Sequence, residues 1–342
     1  MGIKGLFPFL KQHLCTSLLQ EEDIPKGATL AIDVPIFAYK FIYKERTYEN
    51  LEKRFIQFAN HLKDLSITAL FVFDGPEAIA LKGDELKKRA VHKSHQMDLY
   101  NRKKSAELEQ MLVVANAVLH DPSDLEMPSS LSTGLSGSLS KDNPVSIPEF
   151  QGLMFPTKTE YKTLKAALES HSFECVTAKH EAEAMCAYLS TQGKVWAVLT
   201  EDTDAIAFGA TRTIFKYGTP DMCLVEKEIV LKSLDLTEEQ LRTLCILFGN
   251  DFCTNIYLIG PKKSYELLKK HGSWPKMHEE CTALWTKCPR TRDSCALFQE
   301  KWASVSYLFQ SKAYEDEGSL NDCTYDYTYT YDYTYTYESA KD

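Results

Sequence analysis

The stretch 195-VWAVLTEDTDAIAFG-209 is apolar for five residues and then meets Glu201, Asp202 and Asp204. A continuous rather than alternating apolar run fits a strand buried on both faces of a parallel sheet. Two further runs share that pattern, ATLAIDV at 28–34 and ITALFVFD at 67–74. Helical periodicities lie between them, over 49–64 and 180–191. This alternation predicts an α/β domain with a mostly parallel central sheet flanked by helices. Each strand leads into an aspartate: Asp33, Asp74 and Asp202. In open α/β sheets the carboxyl ends of the strands line the functional crevice. One Asp at such a place reads as a helix cap or turn residue; three at equivalent places point to a site.

Bulk composition bounds the rest. The chain has 342 residues, 44% hydrophobic and 25% charged, which is ordinary globular usage. No apolar run approaches the roughly 18 residues a membrane-spanning helix needs, and the N-terminus lacks the apolar core of a secretion signal. An intracellular protein is expected. Its ten cysteines form no CxxC pair and read as free thiols. His278, Cys281, Cys288 and Cys295 form a loose group, but their spacing does not match the paired ligands of structural zinc motifs.

The net charge of −9 is unevenly spread. Residues 313–342 carry eight acids and one lysine, whereas 82–104 carry eight Lys or Arg against three acids. Such a basic stripe is either a phosphate-binding surface or a solvated helix face. Residues 121–150, with eight serines and four prolines, read as a flexible connector. Near the C-terminus TYDYTY occurs twice in succession, at 324–329 and 330–335. The expected organisation is a nuclease-like core in two parts, 1–105 and 155–236, separated by 106–154. A helical element follows at 237–271, then a helical extension at 272–312 and a disordered acidic tail at 313–342.

The acids near strand exits and helix starts number seven: Asp33, Asp74, Glu181, Glu183, Asp202, Asp204 and Asp251. Two unit charges at about 4 Å repel by about 4 kcal/mol at an effective dielectric near 20. Seven in one pocket demand compensation, and divalent cations supply it. An all-oxygen donor set favours Mg²⁺ or Mn²⁺ over zinc. Pairs of such ions about 4 Å apart are the machinery of phosphodiester chemistry. Glu181 and Glu183, spaced i and i+2, would not share a face of a regular helix, and the pair alone reads equally as acids favouring a helix N-terminus.

The ordered blocks MGIKGL (1–6), AIDVPIFAYKF (31–41), FVFDG (71–75), LKGDELKKR (81–89), HEAEAMCAYL (180–189), TEDTDAIAFGA (200–210) and LCILFGNDFCTNIYLIGPKKS (244–264) resemble the structure-specific 5′ nuclease family, in its flap endonuclease branch. The resemblance implies a PIN-like fold. It implies cleavage of DNA 5′ flaps near the single-strand/duplex junction, with 5′–3′ exonuclease activity, in replication, repair or recombination. It assigns Asp33, Asp74, Glu181 and Glu183 to one Mg²⁺ (Mn²⁺ as a substitute) and Asp202, Asp204 and Asp251 to a second, with Glu183 near both. Lys82 and Arg89 match a basic pair at the scissile phosphate, and Tyr39 an aromatic stacking beside the cut. Gly2 matches an N-terminus packed near the site. Residues 237–271 match a helix–two-turn–helix element, where the 259–263 amides, a bound K⁺ and Lys262, Lys263, Lys269 and Lys270 meet duplex phosphates. Residues 90–120 match the helical arch that passes the single strand. A monomer is expected, in the nucleus or, for a DNA-virus-encoded member, at the site of viral replication.

Departures from the family pattern are visible. One extra residue separates Asp74 from Lys82, His180 stands where a serine usually caps the glutamate helix, and Leu258 replaces a hairpin glycine. No sliding-clamp motif of the form Q-x-x-L/I-x-x-F-F was found. Three alternatives remain open at this stage: an exonuclease acting mainly at gaps and ends, a non-catalytic DNA-binding scaffold, and an RNA-cleaving relative.

Overall fold

The computed structural model describes residues 2–45, 50–76, 82–83, 87–95, 98, 102, 105, 156–285 and 287–310. The 121–150 connector, the acidic tail and most of the expected arch lie outside the described residues. Within 84–118, residues 87–95 are helical, as the charge pattern suggested.

Among the described residues the chain forms a seven-stranded sheet. Its strands are β1 (Ser17–Leu18), β2 (Thr29–Asp33), β3 (Thr68–Phe73), β4 (Glu174–Thr177), β5 (Ala197–Leu199), β6 (Arg212–Phe215) and β7 (Cys223–Glu226), in the order β1-β7-β6-β5-β2-β3-β4. Pairings from β6 through β4 are parallel; only β7 runs antiparallel to its neighbours. The three runs expected as strands are therefore β2, β3 and β5, adjacent at the centre of the sheet and each shorter than its apolar stretch.

Side-chain alternation divides the sheet into two cores. Leu30, Ile32, Phe71, Phe73 and Leu199 enter one buried cluster, with α2 (Val34–Glu45), α3 (Leu51–Asp64) and α4 (Lys158–Ser170). Ala31, Leu70, Val72 and Val198 enter the other, with α1 (Leu6–Gln12) and α5 (Ala182–Thr191). Successive residues of a strand point to opposite faces. Both faces being covered explains why these strands read as continuous apolar runs.

The second core continues through α6 (Asp204–Ala207), α7 (Lys227–Leu234), α8 (Glu238–Phe248), α9 (Pro261–His271), α10 (Trp274–Trp285) and α11 (Pro289–Leu308). The expected pair at 237–248 and 262–270 is α8 and α9. Thr237 caps α8, accepting from the Gln240 N–H while Gln240 reaches back to the Thr237 N–H. Gly249, at φ +86°, ends that helix where Asn255 leaves no room for a Cβ. Asn250 then accepts from the Phe252 and Cys253 N–H groups, 2.9 Å each, which fixes the turn carrying Asp251.

The described cysteines are free thiols. His278 packs on the Trp274 and Trp285 rings, and among the described residues no group of three His, Cys, Asp or Glu is placed to hold a metal ion. No described helix is long and apolar enough to cross a membrane.

Candidate active site

The site lies beyond the carboxyl ends of β2, β3 and β5. Asp33 is the last residue of β2, and its parity with Ala31 turns it toward the face covered by α5. Thr200 shares that face with Val198 and is fully buried. Its hydroxyl donates to Asp33 Oδ2 (2.7 Å) and accepts from the Asp202 N–H (3.0 Å). Asp202 Oδ1 in turn accepts from the Asp204 N–H at 3.0 Å. This hydroxyl-centred chain couples two neighbouring strand exits. Thr200 was not among the expected site residues; a threonine flanking buried acids in TEDTD was the available signal.

Glu181 and Glu183 face the same centre despite their i, i+2 spacing. Glu181 is the N-cap of α5, with extended backbone (φ −95°, ψ 135°), and Glu183 lies in the first turn. Helical periodicity does not yet apply at an N-cap, so the spacing objection falls away. The expectation that His180 weakens the cap is corrected. The capping position is Glu181, and the Ala182 N–H is satisfied from outside the helix by Asp74 Oδ1 at 2.9 Å. Gly75 makes this approach possible, since a Cβ there would lie 2.0 Å from the Lys179 carbonyl oxygen.

Lys82 binds the acids together. It is 3% exposed, and its Nζ lies 2.5 Å from Glu181, 3.6 Å from Asp251 and 3.8 Å from Glu183. The ammonium also faces the Phe252 ring, 5.4 Å from its centroid. Burial acts to lower the Lys82 pKa, but Glu183, Glu181 and Asp251 together raise it well above the ordinary lysine value. Arg89, on the helical stretch 87–95, pairs with Asp251. The expected basic pair is thus placed among the expected acids. Tyr39 is half-buried on α2, with Lys93 Nζ 6.0 Å from its ring centroid.

Gly2 packs against the acids. Its φ is +83°, and a Cβ would sit 2.0 Å from Asp202 Oδ1. The following residue is anchored too, the Ile3 N–H donating to Thr203 Oγ1 at 2.8 Å. Tyr161 of α4 was also not anticipated. Burial raises its phenol well above the usual range, and the nearby charges of Asp74, Tyr39 and Asp33 add to that.

Glu201, by contrast, leaves the cluster. It pairs with Lys40 of α2 and accepts from the Lys216 N–H at 3.0 Å. The four lysines of α9 also separate. Lys262 and Lys263 are exposed in its first turn, while Lys269 and Lys270 lie about 10 Å further along the axis. Lys269 is bound to the Asp235 carboxylate (2.5 Å) and carbonyl (2.7 Å).

The donor set suits hard cations. Asp204 is fully buried and neither of its carboxylate oxygens has a hydrogen-bond partner. An unpaired buried carboxylate is costly unless protonated or cation-bound. Burial raises the pKa of Asp33 to about 8, with Asp74 and Asp202 adding to it, and raises Asp202, Glu183 and Asp204 as well. Such acids gain most from a positive charge placed among them. The site is a cluster rather than a finished cage, because Lys82 and Arg89 engage Glu181 and Asp251.

Comparison with known proteins agrees with this geometry. Residues 1–96 match the XPG N-terminal domain and residues 172–251 the XPG I-region, together just over half of the chain. A flap endonuclease 1 of Xiphophorus maculatus is 30% identical over 292 residues, 80% of this chain and 67% of that protein. One from Heterostelium pallidum is 30% identical over 291 residues, 79% of this chain and 66% of that protein. The chain thus spans about two thirds of the length of these relatives. The catalytic core of Rad2, solved in complex with a DNA substrate, superposes with a TM-score of 0.60 at 17% identity, covering 90% of this chain and 86% of that one. The protein belongs to the XPG family of structure-specific DNA nucleases, in its flap endonuclease branch.

Proposed function

We propose that the protein cuts DNA carrying a 5′ single strand, hydrolysing one phosphodiester near the junction with duplex. The observation that carries this reading is the meeting of seven acids with two cations, Lys82 and Arg89, at one end of the sheet. Asp33, Asp74, Glu181 and Glu183 would hold one Mg²⁺ and Asp202, Asp204 and Asp251 the other, Glu183 lying near both; Mn²⁺ is a fitting substitute. Bound there, the ions supply Lewis-acid stabilisation of the phosphate oxygens and acidify water for attack. Lys82 and Arg89 meet the charge that develops on the phosphate. Tyr39 stacks on the adjoining nucleotide, and Gly2 leaves the room that this packing needs.

The element 237–271 holds the duplex. Amides of 259–263, with a K⁺ beneath the loop and Lys262, Lys263 and Lys270 beside it, contact phosphates and so position DNA without reading its sequence. Lys269, tied to Asp235, contributes less. A DNA substrate of this kind places the activity in replication, repair or recombination, in the nucleus on the family resemblance.

The test is cleavage of an end-labelled double-flap DNA beside gapped and blunt duplexes and an RNA-flap version. A single major cut at the DNA junction supports the reading. Stepwise trimming at gaps and ends would replace it with an exonuclease, preference for the RNA flap with an RNA-cleaving enzyme, and binding without cleavage with a scaffold.

A further inference from the structure

The turn that leads into α9 carries a feature which interior packing does not account for. Ile256–Ile259 is closed by the Ile259 N–H donating to the Ile256 carbonyl (2.9 Å), and Leu258 occupies its third position at φ +66°. That position ordinarily goes to glycine, because a side chain there is strained. Leu258 is nonetheless 65% exposed, so burial within the chain does not offset the strain. Tyr257 beside it is 40% exposed.

The turn is braced from outside the two-helix element. The Tyr257 N–H donates to Ser294 Oγ (2.8 Å), and that hydroxyl donates to the Thr291 carbonyl (3.0 Å), both on α11. The Arg290 guanidinium lies 5.8 Å from the Tyr257 ring centroid. Arg290, Lys262 and Lys263 are exposed around the tip. An apolar point in a ring of cations fits a polyanion that also offers an apolar surface. The minor groove of duplex DNA is such a surface, lined by deoxyribose and flanked by phosphates.

We propose that the Tyr257–Leu258 turn, held by the first turns of α11, is a DNA-contact element. Leu258 and Tyr257 pack on the sugar rims of the minor groove, while Arg290, Lys262 and Lys263 meet the flanking phosphates. The inference rests on the DNA-binding reading above. It adds α11 to the interface and gives the strained leucine a purpose.

The experiment is fluorescence anisotropy of the full chain with labelled duplex and flap DNA in EDTA, between about 50 and 200 mM salt. Thermal melts of the same samples accompany it. Leu258→Gly is expected to weaken binding about fivefold, the order expected for losing part of one leucine contact, with the salt slope unchanged. Its melting temperature is expected to rise, because strain is relieved. Arg290→Ala is expected to weaken binding and to reduce the slope by about one phosphate contact. Affinity of Leu258→Gly within about twofold of wild type would overturn the proposal, since it leaves no room for an apolar contact. Weaker binding together with a lower melting temperature would also overturn it, by giving Leu258 a structural role. If the wild-type chain binds neither DNA, the underlying DNA-binding reading fails as well.

Discussion

Asp74 Oδ1 accepts a hydrogen bond from the Ala182 N–H at 2.9 Å, joining residues 108 apart in sequence. The carboxylate that ends the β3 exit thereby caps the helix that carries Glu181 and Glu183. One side chain thus serves both as a cap and as a member of the acid cluster, and substitution can separate the two roles. Asp74→Asn keeps an acceptor for the Ala182 N–H and removes the charge. It is expected to melt like wild type and to cleave flap DNA at least about 100-fold more slowly. Asp74→Ala is expected to lose the cap too, at about 1 kcal/mol, lowering the melting temperature by about 2–4 °C. Thermal melts and single-turnover rates on the same preparations check both.

The three acids of TEDTD do different work. Glu201 pairs with Lys40 and with the Lys216 N–H, away from the cluster, and the two side chains of the ion pair are about a quarter exposed. Glu201→Ala is expected to cost about 0.5–1 kcal/mol in stability and to leave cleavage within about threefold of wild type, well short of the loss expected for a transition-state group. Asp202→Ala is expected to abolish cleavage. Equal loss in both variants would place Glu201 in the machinery.

The sequence showed the strands and their order of burial because β2, β3 and β5 are covered on both faces and so read as unbroken apolar runs. It showed the acids because each follows a strand or starts a helix. It could not show what fixes them. The Asp74–Ala182, Ile3–Thr203 and Lys82–Glu181 contacts each join residues at least 99 apart in sequence. The Glu181–Glu183 spacing misled because helical periodicity was applied to a residue that is still extended. Leu258 was recognised as a departure, but its left-handed backbone and its bracing by α11 depend on residues 31 to 37 positions further on.

Acidity should couple to stability and to cation binding. Asp33 has an ordinary value of 3.8 and is raised by burial to about 8, so the folded chain holds a proton that the unfolded chain releases. The resulting stability is present in full below about pH 4 and is lost as pH rises toward about 8. In EDTA, the melting temperature is therefore expected to fall between pH 5 and pH 8 by at least about 2 °C. Added Mn²⁺ should restore it at pH 8 far more than at pH 5, because protons compete for the same oxygens. A cation-induced shift of the same size at both values would contradict the burial of Asp33.

Gly2 tests the packing at the N-terminal end. An alanine Cβ would lie 2.0 Å from Asp202 Oδ1 and 2.7 Å from Thr203 Oγ1, on a backbone at φ +83°. Gly2→Ala is expected to displace Asp202 and to slow cleavage at least about tenfold, since shifts near 1 Å in a reacting site cost about 100-fold. Binding of duplex DNA should be unchanged, as measured by anisotropy.

The most direct test of the acid cluster is Asp204→Asn, assayed for double-flap cleavage with Mg²⁺ and with EDTA. Asp204 is fully buried with both oxygens unpartnered, so the amide removes charge at nearly constant shape. Wild type with Mg²⁺ is expected to give one major cut near the junction and, with EDTA, almost none. Asp204→Asn is expected to fold and bind flap DNA as wild type does, and to cleave at least about 100-fold more slowly. Cleavage by the variant at a rate close to wild type, or by wild type in EDTA, would contradict a cation-dependent centre built on these carboxylates.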